Sequence, residues 1–77
     1  MDEKHLRQYR ELGLTIAYYR KLKGMSQQQL ADATGISRTH VSNIEAPNAR
    51  TSVSLDKLFS IADALEIPVK NLFSLHG

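Results

Sequence analysis

Arg38, Thr39, Ser42 and Asn43 share one short segment, SRTHVSNIE, residues 37–45. Read as a helix at about 100° per residue, the segment puts Val41 and Ile44 on one side and Thr39 and Asn43 on the other. Arg38 and Ser42 flank them. A face of short hydrogen-bonding side chains and one guanidinium suits a helix that enters a DNA major groove. Arg can take guanine O6 and N7, Asn can take adenine N6 and N7, and a Thr methyl can touch a thymine methyl. A helix exposed only to water more usually carries Glu and Lys at i,i+4 spacing. On these residues alone, a solvated polar helix without a partner stays open as the alternative.

The elements around this segment must hold it in place. Ser37 can cap it, with Ile36 before the cap and Val41 inside the helix as a staple pair. Upstream, Ser26 and Gln29 form a Ser-x-x-Gln capping box, with Met25 and Leu30 as the matching staple. Between the two caps lies Thr34-Gly35, where glycine suits the left-handed residue that ends one helix and turns the chain. The stretch from Gly24 to Glu45 therefore predicts two short helices joined by a tight turn.

Ser26-Gln27-x-x-Leu30-Ala31, Gly35-Ile36-Ser37, Val41-Ser42 and Ile44-Glu45 resemble the Cro/CI-type helix-turn-helix of the Xre, lambda-repressor-like family. The resemblance runs from about Leu12 to about Phe73. It implies an all-α, compact bundle of five short helices, the second and third forming the helix-turn-helix. It further implies that the second helix lies across the DNA backbone while residues 37–45 enter the major groove. Arg38, Thr39, Ser42 and Asn43 would then read bases. Gln27 would meet a phosphate at the start of the second helix, where backbone N–H groups are free. Ser37 and His40, near the start of the reading helix, are further phosphate candidates. Arg20 and Glu45 occupy positions that often pair in this family, and such a pair would be partly buried.

After Glu45 the chain departs from the family pattern. Where a glycine commonly follows, the run is Ala46-Pro47-Asn48-Ala49-Arg50-Thr51-Ser52. Pro47 pushes Ala46 out of the α region, so the reading helix ends there. Asn48 is the residue expected to supply a left-handed turn. In the family this loop follows the DNA backbone, which makes Asn48, Arg50 and Thr51 phosphate candidates.

Seventy-seven residues, 42 % of them hydrophobic, support one small domain over 1–77. The sequence contains no cysteine, so disulfides and thiolate metal sites are excluded. No apolar signal segment or membrane-length run is visible, which makes the cytoplasm the expected location. The net charge is only +2, but five basic residues face two acidic ones between Arg20 and Thr51. That local excess suits a phosphate-bearing partner.

Outside the motif, residues 2–23 predict one long helix with Leu12, Ile16 and Tyr19 as its core stripe. Residues 1–9 form a helical overhang beyond the family-like core of 12–73. Ser54 should cap a fourth helix carrying Leu55, Leu58, Phe59, Ala62 and Leu65 as its core stripe. Pro68 should open a last short helix through about Ser74, presenting Val69, Leu72 and Phe73. In similar proteins that helix is a frequent dimer contact.

His5, His40 and His76 are scattered without ligand spacing, so no metal or cofactor is expected. No phosphate loop and no nucleophile motif points to catalysis. The function expected is sequence-specific binding of double-stranded DNA as a transcriptional regulator, a repressor working as a homodimer on a palindromic operator. The alternative is an antitoxin-type protein-interaction module that binds a protein partner as well as its own promoter.

Overall fold

Among the described residues, three of the four α-helices begin at a serine whose hydroxyl accepts a backbone N–H. The structure, a computed structural model, describes residues 2–48 and 50–74. Helix α1 (Leu6–Leu22) is followed by α2 (Gln27–Thr34), α3 (Arg38–Glu45) and α4 (Leu55–Leu65). Ser26 caps α2 with the full reciprocal box: Gln29 N–H donates to Ser26 Oγ at 3.0 Å, and Ser26 N–H to Gln29 Oε1 at 2.8 Å. Ser37 Oγ accepts from His40 N–H at 3.1 Å, and Ser54 Oγ from Lys57 N–H at 3.3 Å. Such caps satisfy N–H groups that no helical carbonyl can reach. Gly24 and Gly35, at φ 77° and 74°, turn the chain out of α1 and α2.

Among the described residues the architecture is all-helical, with four α-helices, one of them 17 residues long, in place of five short ones. The last segment, Val69–Phe73, is a 3-10 turn of five residues. Pro68 offers it no side-chain cap, and so short a piece commonly adopts the tighter 3-10 form. The long first helix is also modified: Asp2 caps a 3-10 turn, Glu3–His5, and α1 proper starts at Leu6.

One core joins all four helices: Leu12 and Ile16 from α1, Leu30 and Ala31 from α2, Val41 and Ile44 from α3, and Leu58, Ile61, Ala62 and Leu65 from α4. Ile36 in the turn and Leu72 near the end complete it, while Tyr9, Tyr19, Met25 and Val53 pack at its edge. The predicted stripe of α4 needs correction. Leu55 and Phe59 are 63 % and 48 % exposed, and Ile61, absent from the prediction, is buried at 1 %. The apolar arc of α4 is wider than the core can cover, and the core takes its Ile61 side.

The loop after α3 also differs from expectation. Ala46 is extended (φ −71°, ψ 128°), as a residue before proline must be, but Asn48 is not left-handed. Among the described residues Glu66, at φ 58° and ending α4, is the one non-glycine with positive φ.

Candidate nucleic-acid interface

Helix α3 divides cleanly between core and solvent. Val41 and Ile44 are 1 % and 5 % exposed, while Arg38, Thr39 and Asn43 are exposed and Ser42 is half-buried. The turn before it is closed from within. Gly35 N–H donates to Ala31 O at 2.9 Å, Ile36 N–H to Thr34 Oγ1 at 3.3 Å, and Thr34 Oγ1 to Leu30 O at 2.8 Å. The turn between α2 and α3 is thus held by backbone groups, by the Thr34 hydroxyl and by the buried Ile36.

The far end of α3 is tied to α1. Arg20 donates from Nε to Glu45 Oε2 at 2.7 Å and from Nη2 to Oε1 at 2.8 Å, a two-point pair with both residues buried. A third guanidinium N–H reaches Met25 O at 2.7 Å, in the connection that leads into α2. Hydrogen bonding to Glu45 holds the Arg20 pKa above its ordinary value and outweighs the opposing effect of desolvation. Gln27 joins the same cluster, its Nε2 donating to Glu45 Oε1 at 3.0 Å. One carboxylate therefore connects α1, the first turn of α2 and the last turn of α3. Both side chains of the pair are more deeply buried than the partly buried arrangement expected from the sequence.

Gly13 supplies the other anchor. A Cβ at this position would stand 2.1 Å from the Ile44 carbonyl oxygen. Helix α1 therefore lies against the backbone of α3 at a distance that only a glycine permits. The sequence offered a faint signal, since glycine inside a helical pattern costs about 1 kcal/mol against alanine and so usually has a packing reason.

The remaining sites separate into free and occupied groups. Ser37 Oγ is occupied by its capping bond, and His40 Nδ1 lies 3.2 Å from Lys57 Nζ. Asn48 is exposed and Thr51 half-buried, in the loop between α3 and α4. Arg50, also exposed, donates to Glu3 Oε1 at 3.0 Å. Lys57, which no motif marked, is brought to the flank of α3 by the packing alone.

A solvent-facing polar helix, anchored by its neighbours through Ile36, Gly13 and Glu45, is the hallmark that comparison with known proteins bears on directly. The sequence pattern of the helix-turn-helix family matches residues 16–72. The chain belongs to the helix-turn-helix family of DNA-binding transcriptional regulators. It is 32 % identical over 66 residues to control protein C.SmaI of Serratia marcescens, covering 86 % of this chain and 76 % of that protein. The regulator SinR of Bacillus subtilis is 34 % identical over 61 residues, covering 79 % of this chain but only 54 % of SinR. Among solved structures, the restriction-modification controller protein C.AhdI from Aeromonas hydrophila superposes with a TM-score of 0.81 at 31 % identity. That alignment covers 87 % of this chain and 98 % of the other. The family consists of DNA-binding regulators and not of enzymes. No described helix is long and apolar enough to cross a membrane.

Proposed function

We propose that this chain, as a single domain over 1–77, represses transcription by binding as a homodimer to a two-fold operator. Helix α3 lies in the major groove of each half-site. Arg38, Thr39, Ser42 and Asn43 contact base edges, with Arg38 on a guanine and Asn43 on an adenine. Ser37, His40, Asn48, Arg50 and Thr51 face the phosphates beside it. Gln27 reaches a phosphate with the amide proton that Glu45 leaves unused. The reading is carried by the contrast on α3: its inner side is held by the core, Gly13 and the Arg20–Glu45 pair, while its outer side presents polar groups. As a DNA-binding regulator the protein would act in the cytoplasm.

The dimer rests on the apolar surface left outside the core. Leu55 and Phe73, each 63 % exposed, line one shallow groove of about 370 Å³ with His5, Gln8, Tyr9, Leu12, Val53 and Leu58. Leu72 is not available for it, being fully buried. One domain of this size covers little DNA, and pairing across a two-fold axis doubles the contact. The experiment is selection of bound duplexes from a random library, followed by footprinting. Paired half-sites about 10 bp apart, centre to centre, are the expected result. A single isolated half-site holding one protein per duplex would reject the dimer, and recovery of no sequence preference would reject the reading helix.

A second reading draws on Leu14, Tyr18 and Leu22, an i,i+4,i+8 stripe on α1 that is 50 %, 49 % and 69 % exposed. A protein partner seated there would make the chain the DNA-binding half of an antitoxin-type pair. Co-purification of a stoichiometric partner, abolished by Leu14→Glu, would favour this reading.

A further inference from the structure

Glu3 and Arg50 join two segments that lie 47 positions apart in the chain. Arg50 donates from Nη2 to Glu3 Oε1 at 3.0 Å, and the two side chains are 54 % and 79 % exposed. Each end of the contact is held by its own segment. Glu3 opens the 3-10 turn that Asp2 caps: Asp2 accepts from Lys4 N–H at 3.1 Å with its carboxylate and from His5 N–H at 3.0 Å with its carbonyl. Arg50 precedes Thr51, which is half-buried, and Val53, which packs at the edge of the core. His5, Tyr9, Val53 and Leu55 line one groove, so the end of this loop lies along the first turns of α1 whether or not the ion pair forms. Glu3 stands ahead of residues 16–72, which match the family pattern, so that pattern does not contain this contact.

We infer that Glu3 competes with DNA for Arg50, and that binding exchanges one anion, the carboxylate, for another, a backbone phosphate. The inference rests on Arg50 facing the phosphates beside the reading helix. A guanidinium paired with a carboxylate presents little net charge to a third group some distance away. A phosphate approaching Arg50 therefore gains the full charge-assisted contact only when Glu3 lets go. The freed carboxylate then stands near the DNA with its charge uncompensated, a smaller effect of the same sign. Their size is that of an exposed pair, which water and salt screen. Glu3 thus lowers affinity for every duplex alike without touching a base. Had it served instead to aim Arg50 at the DNA, its loss would weaken binding, so the sign of the effect separates the two roles.

The test measures Kd and its salt dependence for a duplex selected from a random library, with poly(dA-dT) duplex as the non-specific probe. Wild type, Glu3→Gln, Arg50→Gln and the double variant are compared, each first shown to unfold cooperatively. Glu3→Gln keeps an acceptor for Arg50 but removes the charge. It should bind both duplexes about two- to fivefold more tightly at low salt, the range an exposed ion pair spans. The gain should shrink as salt rises, giving this variant a steeper salt slope than wild type. Arg50→Gln should bind more weakly than wild type and flatten the slope by up to about 0.9. In the Arg50→Gln background, Glu3→Gln should keep only the small gain that comes from repulsion between carboxylate and DNA. An equal gain in both backgrounds would assign the effect to overall charge and overturn this inference. Unchanged or weaker binding by Glu3→Gln, or unchanged binding by Arg50→Gln, would overturn it too, while leaving the reading helix intact. Absence of wild-type binding to any duplex would overturn the proposed function with it.

Discussion

Arg20 and Glu45, 25 positions apart in the chain, meet in a two-point ion pair at 2.7 and 2.8 Å, with side chains only 9 % and 5 % exposed. Breaking a buried pair by removing one member leaves an uncompensated charge and costs about 3–5 kcal/mol. Arg20→Ala and Glu45→Ala should each approach that loss in denaturant unfolding, and the double variant should lose much less than their sum. Strictly additive losses would mean that the two charges do not depend on each other. Gln27→Ala, which removes a donor to the same carboxylate, should cost about 1 kcal/mol. It should also weaken binding to all DNA sequences alike.

Gly13→Ala sets two effects against each other. Helix propensity alone favours alanine by about 1 kcal/mol. The added methyl, however, meets the Ile44 carbonyl at 2.1 Å, and a backbone oxygen cannot rotate away. Overpacking of this kind costs about 1–3 kcal/mol, so a net loss of stability is expected. Because the displaced element is α3, affinity for a selected duplex should fall as well. A Gly13→Ala protein more stable than wild type would show that the two helices separate freely.

Asn43→Ala removes an exposed side chain from the outer face of α3. Unfolding should be nearly unchanged, while specific binding weakens by about 1–3 kcal/mol. Preference should relax at one base pair in each half-site, and the salt slope should stay, because no phosphate contact is lost. Equal weakening on every duplex would remove Asn43 from the base-reading set.

Phe73→Glu should leave the domain folded, since this ring is 63 % exposed, and should shift a dimer toward monomer in sedimentation equilibrium. Leu72→Ala should behave differently. That side chain is fully buried, and its truncation should cost about 2–5 kcal/mol of stability. If Phe73→Glu dimerises as wild type does, the groove it shares with Leu55 is not the dimer face.

Glu66 ends α4 in the left-handed region at φ 58°, a conformation glycine adopts without the Cβ penalty. Its fully exposed carboxylate pairs with Lys23, whose hydrogen bond and charge lower its pKa. A depressed carboxylate pKa contributes stability above the unfolded value, and that contribution is lost as pH falls through the folded one. Exposed pairs are screened and contribute little. Glu66→Gly should therefore raise the unfolding midpoint, and by more in acid than at neutral pH. A lower midpoint at neutral pH alone would show the Lys23 contact to outweigh the backbone strain there, and a lower midpoint in acid as well would show that glycine relieves no strain at this position.

What the sequence determined on its own was local. Ser26, Gln29, Ser37 and Ser54 cap groups three residues away, Gly35 turns the chain at its own φ, and Pro47 dictates the backbone of Ala46. Such relations need no knowledge of the rest of the chain. The 3.6-residue period likewise separated Val41 and Ile44 from Thr39 and Asn43, because a single helix sets those angles. Tertiary structure decided everything that depends on what stands opposite. Leu55 and Phe59 belong to the apolar arc of α4 but lie where no partner helix covers them, while Ile61 lies where one does. Gly13 reads as a weak point in α1 until the Ile44 carbonyl is placed against it. Lys57 is an ordinary first-turn lysine until His40 meets it. Gln27 reads as a free helix-start amide until Glu45 takes one of its protons. Periodicity gives the direction of each side chain, and only the packing of separate helices gives the distance to its neighbour.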